Sequence, residues 1–184
     1  MRYFSLGPNC NVGYQLVDYG LRGEAGPFDW TACMSIHPYI AVVQGEDFLA
    51  GLRPTKHAFR TTMANGRGVE FFHHDVANPV VAETIQRRVR RLRDALKEAT
   101  LVCTLSLFPG HPDDVVQHLT DLNVLAKMGA RTITAVRAVA DNFLANSVMA
   151  CFAGSHEAAR IIVPQRDGRD DKALWSILND RGLK

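Results

Sequence analysis

Residues 101–108, LVCTLSLF, form an almost unbroken apolar run of strand length that ends in the PGHP turn at 109–112. A short apolar run bounded by turn residues is typical of a strand buried inside a sheet. A helical pattern precedes this run, and a second one at 113–128 separates it from another strand at 132–136. Strands that alternate with helices of this length predict βαβ units. We therefore predict an α/β fold, a single domain over 1–184 with three layers, in which helices flank a mainly parallel central sheet.

The helix before this strand has the clearest periodicity in the chain. Asn78-Pro79 supplies an N-cap residue and a proline for the first turn. Apolar residues then recur at steps of three and four, which places them on one face: Val81, Ile85, Val89, Leu92 and Leu96. The helix at 113–128 is expected to stop at Gly129 and to turn four side chains inward, Val116, Leu119, Leu122 and Leu125.

The remaining elements are expected to be shorter. The apolar run at 3–6 ends in Gly7-Pro8-Asn9, which predicts a strand followed by a tight turn. The other predictions are a helix at 11–19, one or two short helices between 31 and 52 with an interruption at Pro38, irregular chain over 53–68, a strand at 69–72, a helix at 138–152, a strand at 159–163 and a helical tail at 171–179.

The charge of the chain is nearly balanced, with 21 Lys+Arg against 19 Asp+Glu in 184 residues. This balance does not indicate a nucleic-acid or membrane partner. No apolar stretch approaches the roughly 18 residues that span a bilayer, and the first residues break too early for a signal peptide. We therefore expect a cytoplasmic protein without membrane contact.

Five arginines crowd into residues 87–93, which resembles a nucleic-acid patch. They lie on the flank of a helix whose other face is apolar, and a solvated helix surface explains them. The sequence has no phosphate-binding loop, dinucleotide-binding loop or serine-hydrolase elbow. We expect no nucleic acid, no metal and no cofactor.

The reactive side chains are expected at one edge of the sheet, because ligands of open α/β sheets bind beyond the carboxyl ends of the strands. The predicted strands end there in Asn9 and Cys10, in His73, His74 and Asp75, in His111 and Asp113, in Arg137, and in Gln165 and Arg166.

Cys10 comes after a strand and a tight turn, at or near the first position of a helix. The free N–H groups and partial positive charge of a helix N-terminus lower the pKa of a thiol and favour the nucleophilic thiolate. The same N–H groups, with the side chain of Asn9, could stabilise an oxyanion. Cys10 is therefore a candidate nucleophile, and the alternative is a buried cysteine that caps the helix.

A thiol nucleophile needs a base that also orients it. His74 is the first candidate and His73 the second, and since adjacent residues of a strand face opposite ways, at most one of them faces the site. Asp75 is a candidate to hold the imidazole. The sequence leaves other orienting residues open, namely Asp29, Thr104 and Ser106.

Two other kinds of site remain open. The first is a divalent-metal site, for which no familiar ligand spacing is present, built from His73, His74, Asp75, His111, Asp113 and Asp114. The second is a non-catalytic module that holds a small anionic ligand or a sugar at the helix N-terminus after Gly7.

A series of motifs occurs in order: SLGPNC at 5–10, GYQL at 13–16, GLR at 20–22, GPFDW at 26–30 and FHHDV at 72–76. Together they resemble a bacterial family of unknown function that carries the label of papain-like cysteine peptidases. The motifs cover about residues 4 to 76.

The resemblance implies that Cys10 is the nucleophile and that His74, in the H-D pair, is the base. It also marks Asp29 and Trp30 as residues of the site or its support. The alternative for this pair is a loop anchored by a buried indole, with Asp29 as the cap of a helix at Thr31. The implied fold is papain-like, α+β with an antiparallel sheet, which stands as an alternative to the parallel sheet.

The function expected from these residues is thiol-mediated acyl transfer by a papain-like cysteine peptidase or a related hydrolase or transferase. The substrate would be a peptide or another acyl-bearing molecule.

Overall fold

The computed structural model describes residues 2–7, 10–18, 20–33, 35–55, 58–61, 68–108, 111–112, 115–138, 147, 150, 152 and 157–162. Within these residues the elements follow in the order β1 (Arg2–Ser5), α1 (Cys10–Asp18), α2 (His37–Gln44), β2 (Arg53–Pro54), β3 (Phe59–Arg60), β4 (Glu70–Phe71), α3 (Pro79–Ala95), β5 (Ala99–Phe108), β6 (His111–Pro112), α4 (Val115–Lys127), β7 (Arg131–Ala138) and β8 (Glu157–Ile162).

The central sheet contains four parallel strands in the order β1-β5-β7-β8, and β6 pairs antiparallel with the end of β5. β5 lies inside the sheet, where it pairs with β1 on one side and with β7 along most of its length on the other. This position explains its apolar run, because strands inside parallel sheets are covered on both faces. The prediction of an α/β fold with a mainly parallel sheet is confirmed. The alternative, a papain-like fold, would have an antiparallel sheet. The three layers and the single domain stay predictions.

A second, smaller sheet joins β2, β3 and β4 antiparallel. The prediction of irregular chain over 53–68 is therefore wrong for β2 and β3. Each of these strands has two residues, too few for a period-two pattern to appear in the sequence. A single bridge between Ala32 and Glu70 connects β4 to the segment that follows Trp30.

α3 forms as its periodicity predicts. The side chain of Asn78 accepts a hydrogen bond from the N–H of Val80 at 3.0 Å, and Pro79 stands in the first turn, where its missing N–H costs nothing. The apolar face is partly buried at Val81 and buried at Ile85, Val89, Leu92 and Leu96.

The arginines of α3 do not form the uniformly solvated surface that was predicted. Arg93 donates hydrogen bonds to the backbone carbonyls of Val42 and Glu46. Of the five arginines, Arg87 and Arg90 are exposed. The others border the buried stripe of the helix, where long side chains reach polar groups of neighbouring segments.

Pro38 was predicted to interrupt a helix. It lies instead in the first turn of α2. A proline is tolerated there because the first N–H groups of a helix have no partner within the helix. α2 is one helix and ends at Gly45, whose φ is +127°.

α4 is rotated relative to the prediction. Val116, expected to point inward, is 75% exposed, whereas His118 and Asp121 are buried beside Leu122 and Leu125. The sequence favoured Val116 because it is apolar, but the helix buries two polar residues on its inner face. The predicted stop is confirmed, since Gly129 has a φ of +88°.

The strand predicted at 159–163 is confirmed as β8, which starts at Glu157. The predicted helix at 138–152 and helical tail at 171–179 fall almost wholly outside the described residues. In the part of the chain that the structure describes, no helix has the length and apolar character needed to cross a membrane.

Candidate functional site

The turn at Gly7 leads from β1 to α1, the helix that starts with the candidate nucleophile. Gly7 has a φ of +71°, its N–H donates to Oγ of Ser5 at 3.2 Å, and its carbonyl accepts from the N–H of Thr104 at 3.1 Å. Cys10 is the first residue of α1, close to where the sequence predicts the helix to start. Asn9 lies outside the described residues.

α1 packs directly against the PFDW segment at 27–30. A Cβ at Gly13 would lie 2.7 Å from the carbonyl oxygen of Asp29 and 3.1 Å from its Cα. Such close approach of two backbones requires a residue without a side chain. The GYQL and GPFDW blocks are therefore in contact in the folded protein.

Asp29 is fully buried and ion-paired. Its Oδ2 accepts hydrogen bonds from the N–H of Gly26 at 2.8 Å and from Nη1 of Arg22 at 2.9 Å. Its Oδ1 is buried and has no hydrogen-bond partner among the described residues. Burial raises the pKa of Asp29 above its ordinary value, against the opposing influence of Gly26, Arg22 and Arg88. Asp29 does not cap the next described helix, since α2 begins at His37.

Trp30 connects the three principal sequence blocks. Its ring centroid lies 4.7 Å from that of Tyr14 on α1 and 6.1 Å from that of His73, both in edge-to-face geometry. The guanidinium carbon of Arg22 lies 5.7 Å from the centroid of the Trp30 ring, within cation–π range. The indole is partly exposed, so it is not the buried anchor of the alternative interpretation.

His74 is partly buried. Burial lowers the pKa of His74 below 6.5, and the positive charges of Arg88 and His73 lower it further. The ring is therefore mainly neutral at neutral pH. Its Nε2 is buried and has no hydrogen-bond partner in the described part of the chain. A neutral imidazole with an uncommitted nitrogen can accept a proton, which is what a general base requires.

Arg88 is a residue of this cluster that the sequence analysis did not single out. It follows Ile85 by three residues and precedes Leu92 by four, so it borders the buried stripe of α3. Its charge acts on both Asp29 and His74. Its Nη1 is buried without a hydrogen-bond partner among the described residues. The spacing from two core positions was the signal that could have identified it.

His73 and His74 were predicted to follow a strand of the central sheet, and this prediction is wrong. β4, which precedes His73 and His74, belongs to the small antiparallel sheet. His111 lies in β6, beside the end of β5. Asp75 is exposed, and its backbone carbonyl accepts a hydrogen bond from the N–H of Asn78 at 3.0 Å. The role of Asp75 in orienting His74 stays a prediction.

A different cysteine and histidine meet in the core, on β5 and α4. Sγ of Cys103 lies 3.8 Å from Nε2 of His118, and each of these atoms lies 3.3 Å from Oγ1 of Thr134. Cys103 is 0% exposed and His118 is 4% exposed. A substrate carbonyl could not approach this thiol unless the core opened. We therefore assign the pair to packing, which confirms Cys103 as a core residue.

No group of three or more metal-binding side chains is assembled in the described portion of the protein. Several residues considered for a metal site or for the predicted edge lie outside that portion, namely Asp113, Asp114, Gln165 and Arg166.

The acid sensitivity of the fold should depend on His74. Because burial keeps the pKa of the folded-state imidazole below 6.5, the unfolded chain takes up a proton more readily as the pH falls through that value. The free energy of unfolding should therefore decrease as the pH falls through this range. Above it, His74 is neutral in both states and does not change the stability. We expect His74→Gln to weaken the decrease between about pH 7.5 and about pH 5.5. Urea unfolding at the two pH values measures it.

His73→Gln is the control, because His73 is exposed and adjacent in sequence. It should change the pH dependence less than His74→Gln does, because the charge of His73 is the smallest of the three causes that lower the pKa of His74. If the free energy of unfolding depends on pH equally in the His74→Gln variant and the unmodified protein, the lowered pKa of His74 in the folded state is contradicted.

The fold and the site define an α/β protein in which the loop segment at 26–30 contacts both α1 and the segment after β4. A family model with the description "Putative papain-like cysteine peptidase (DUF1796)" matches residues 1–105. The match covers more than half of the 184 residues, so the chain belongs to this family. It includes Cys10 and all the sequence blocks of the site. No curated protein and no solved structure matches the chain.

Proposed function

We propose that this protein is a cysteine-dependent acyl hydrolase or acyltransferase in which Cys10 is the nucleophile and His74 is the base. The observation that carries the proposal is the convergence of the family's sequence blocks on Trp30. Tyr14 of α1 and His73 of the FHHDV segment both contact the Trp30 ring. Residues three and four apart share a face of a helix, so the start of α1 lies on the face that carries Gly13 and Tyr14.

The chemistry follows from the groups available. The proton of the Cys10 thiol passes to Nε2 of His74, and the thiolate attacks the substrate carbonyl to form a tetrahedral oxyanion. Backbone N–H groups at the start of α1, with Asn9, stabilise that oxyanion. The oxyanion collapses, the protonated His74 gives its proton to the leaving group, and an acyl-enzyme remains. Water or an amine then takes up the acyl group, which regenerates the thiol.

The choice of His74 over His73 is supported by its environment. Burial and the neighbouring positive charges lower the pKa of His74, which keeps the ring neutral and able to accept a proton. His73 is exposed and uses its ring against Trp30. In the proposal, His73 and Trp30 hold the segment in place, and Asp29 supports the contact with α1.

We propose a peptide, an isopeptide or an acyl carrier as the substrate class, and a cytoplasmic location. The support is the family membership for the peptide and the sequence pattern for the location.

Alkylation of Cys10 by iodoacetamide tests the proposal directly. Its rate, read by mass spectrometry of the peptide that contains Cys10, should titrate with an apparent pKa well below the roughly 8.5 of a free thiol. The His74→Ala variant should lose this behaviour, because the thiolate would lose the group that takes its proton. His73→Phe is the matched control, because it removes the imidazole and keeps a ring against Trp30, and it should keep the low apparent pKa.

Cys33 serves as an internal reference in the same digest, since it is partly buried and lies outside the proposed site. A Cys10 that reacts at the rate and pH of Cys33, or one that His74→Ala leaves unchanged, would refute the proposed pair.

A further inference from the structure

In the part of the chain that the structure describes, the positive charge around Arg88 exceeds the negative charge that could balance it. Arg22 is paired with Asp29 at 2.9 Å, and Arg91 is paired with Glu24 at 2.9 Å. Among the described residues, Arg88 is repelled by the charges of Arg91, Arg22 and Arg87, and only Asp29 attracts it. Each of the two acids thus already has an arginine as its partner.

Asp29, the acid that attracts Arg88, is hydrogen-bonded to other groups. Oδ2 of Asp29 accepts from Gly26 and Arg22, and no hydrogen bond joins Oδ1 of Asp29 to Arg88 among the described residues. Nη1 of Arg88 is buried, and within the described residues it has no hydrogen-bond partner. Buried guanidinium groups are normally hydrogen-bonded, so a donor left in this state indicates a missing partner.

The neighbouring imidazole is in the same condition. Nε2 of His74 is buried without a partner in the described part of the chain, and His74 feels the charge of Arg88. The ring of Trp30 contacts Arg22 and His73, and His73 is adjacent to His74 in the sequence. Nε2 of His74 stays available as a base, whereas the nitrogen of Arg88 that is unpartnered within the described residues belongs to the part of α3 that contacts the loop at 22–29 through Arg91.

We propose that Arg88, beside His74, binds a small oxyanion, a carboxylate or phosphate group. The guanidinium of Arg88 offers a fork of N–H donors that matches either group, and the surrounding arginines supply the attractive charge. The location beside the candidate base makes a group on the substrate its natural source. That assignment to the substrate rests on the proposed function, whereas the site itself does not depend on Cys10.

Fluorescence of Trp30 provides the test. Replacement of the one other tryptophan, Trp175→Phe, leaves Trp30 as the single reporter. In this background the protein is titrated with inorganic phosphate and, separately, with succinate, at an ionic strength held constant with sodium chloride. A saturable change is expected with at least one of the two probes. Saturation with phosphate alone identifies a phosphorylated ligand, and saturation with succinate identifies a carboxylate.

Arg88→Gln should weaken the binding about tenfold, because a charge-assisted fork is lost. Arg90→Gln is the matched control, since Arg90 is exposed on the same helix and its loss changes the net charge equally. It should bind as the unmodified protein does. If Arg88→Gln does not fold, Arg88→Lys keeps the charge without the fork and should also bind more weakly.

The titration of His74, followed by proton NMR of its ring, gives a second measurement that a structural role would not change. The bound oxyanion should raise the pKa of His74, because negative charge favours the imidazolium. The proposal is overturned if neither probe gives a saturable change, or if Arg88→Gln and Arg90→Gln weaken binding equally. Failure of the Cys10 alkylation test with a normal anion titration would refute the proposed nucleophile and leave the anion site standing.

Discussion

Replacement of Asp29 by alanine is expected to destabilise the fold by about 3 kcal/mol, since breaking a buried ion pair leaves the partner charge uncompensated. Asp29 is 0% exposed, and its Oδ2 holds both the N–H of Gly26 and the guanidinium of Arg22. The variant would leave those donors without their acceptor and would remove a negative charge that attracts Arg88. Urea unfolding of the two proteins at the same pH measures the difference.

Two variants serve as controls for Asp29→Ala. Asp75→Ala removes an exposed carboxylate from the candidate site and should change stability by less than about 0.5 kcal/mol. Asp29→Asn keeps an acceptor for the N–H of Gly26 and loses the charge, so its cost should fall between the other two. A cost for Asp29→Ala that resembles that of Asp75→Ala would contradict a structural role for the pair with Arg22.

Gly7→Ala should also cost about 3 kcal/mol, for two separate reasons. The φ of +71° at Gly7 is unfavourable for any residue with a Cβ. The added Cβ would in addition overlap Cε2 of Tyr39. That ring cannot move away easily, because it is fully buried, its hydroxyl lies 2.7 Å from Oγ1 of Thr31, and its ring centroid lies 4.3 Å from that of Phe28.

Gly20→Ala separates these two reasons. Gly20 has a φ of +65°, close to that of Gly7, but a Cβ there would meet no atom of the described residues within 4 Å. It should therefore show the backbone cost of about 1 kcal/mol without the steric one. Thermal or urea unfolding of both variants gives the comparison, and equal losses would show that Tyr39 yields to the added methyl group.

The sequence predicted the elements whose pattern is long enough to repeat. The apolar run at 101–108 and the spacing of Ile85, Val89 and Leu92 gave β5 and α3, because burial of a strand or of one helix face imposes a period on the chain. The parallel sheet followed from their alternation. The two-residue strands β2 and β3 were missed, since nothing so short can repeat.

The sequence predicted which residues belong to the candidate site better than it predicted how they are arranged. Cys10 was expected at or near a helix start, and α1 begins there. This could be predicted because the strand, the turn at the positive-φ Gly7 and the helix follow one another directly in the chain. His73 and His74 were singled out correctly as neighbours of a strand, but that strand belongs to the second sheet. Arg88 was missed, because the sequence shows five similar arginines and gives no direct measure of which one is buried.

The sequence by itself thus determined the parallel strands, the long helices and their caps, the turn at Gly7 and the chemical types of the residues that could react. These features depend on backbone periodicity and turn chemistry, which act between residues close together in the chain. The tertiary structure alone decided that Asp29 pairs with Arg22, that Trp30 contacts both Tyr14 and His73, and that the charge of Arg88 acts on His74. Residues that are distant in sequence meet through the packing of whole elements, and that packing selects among many side chains that look alike in the sequence.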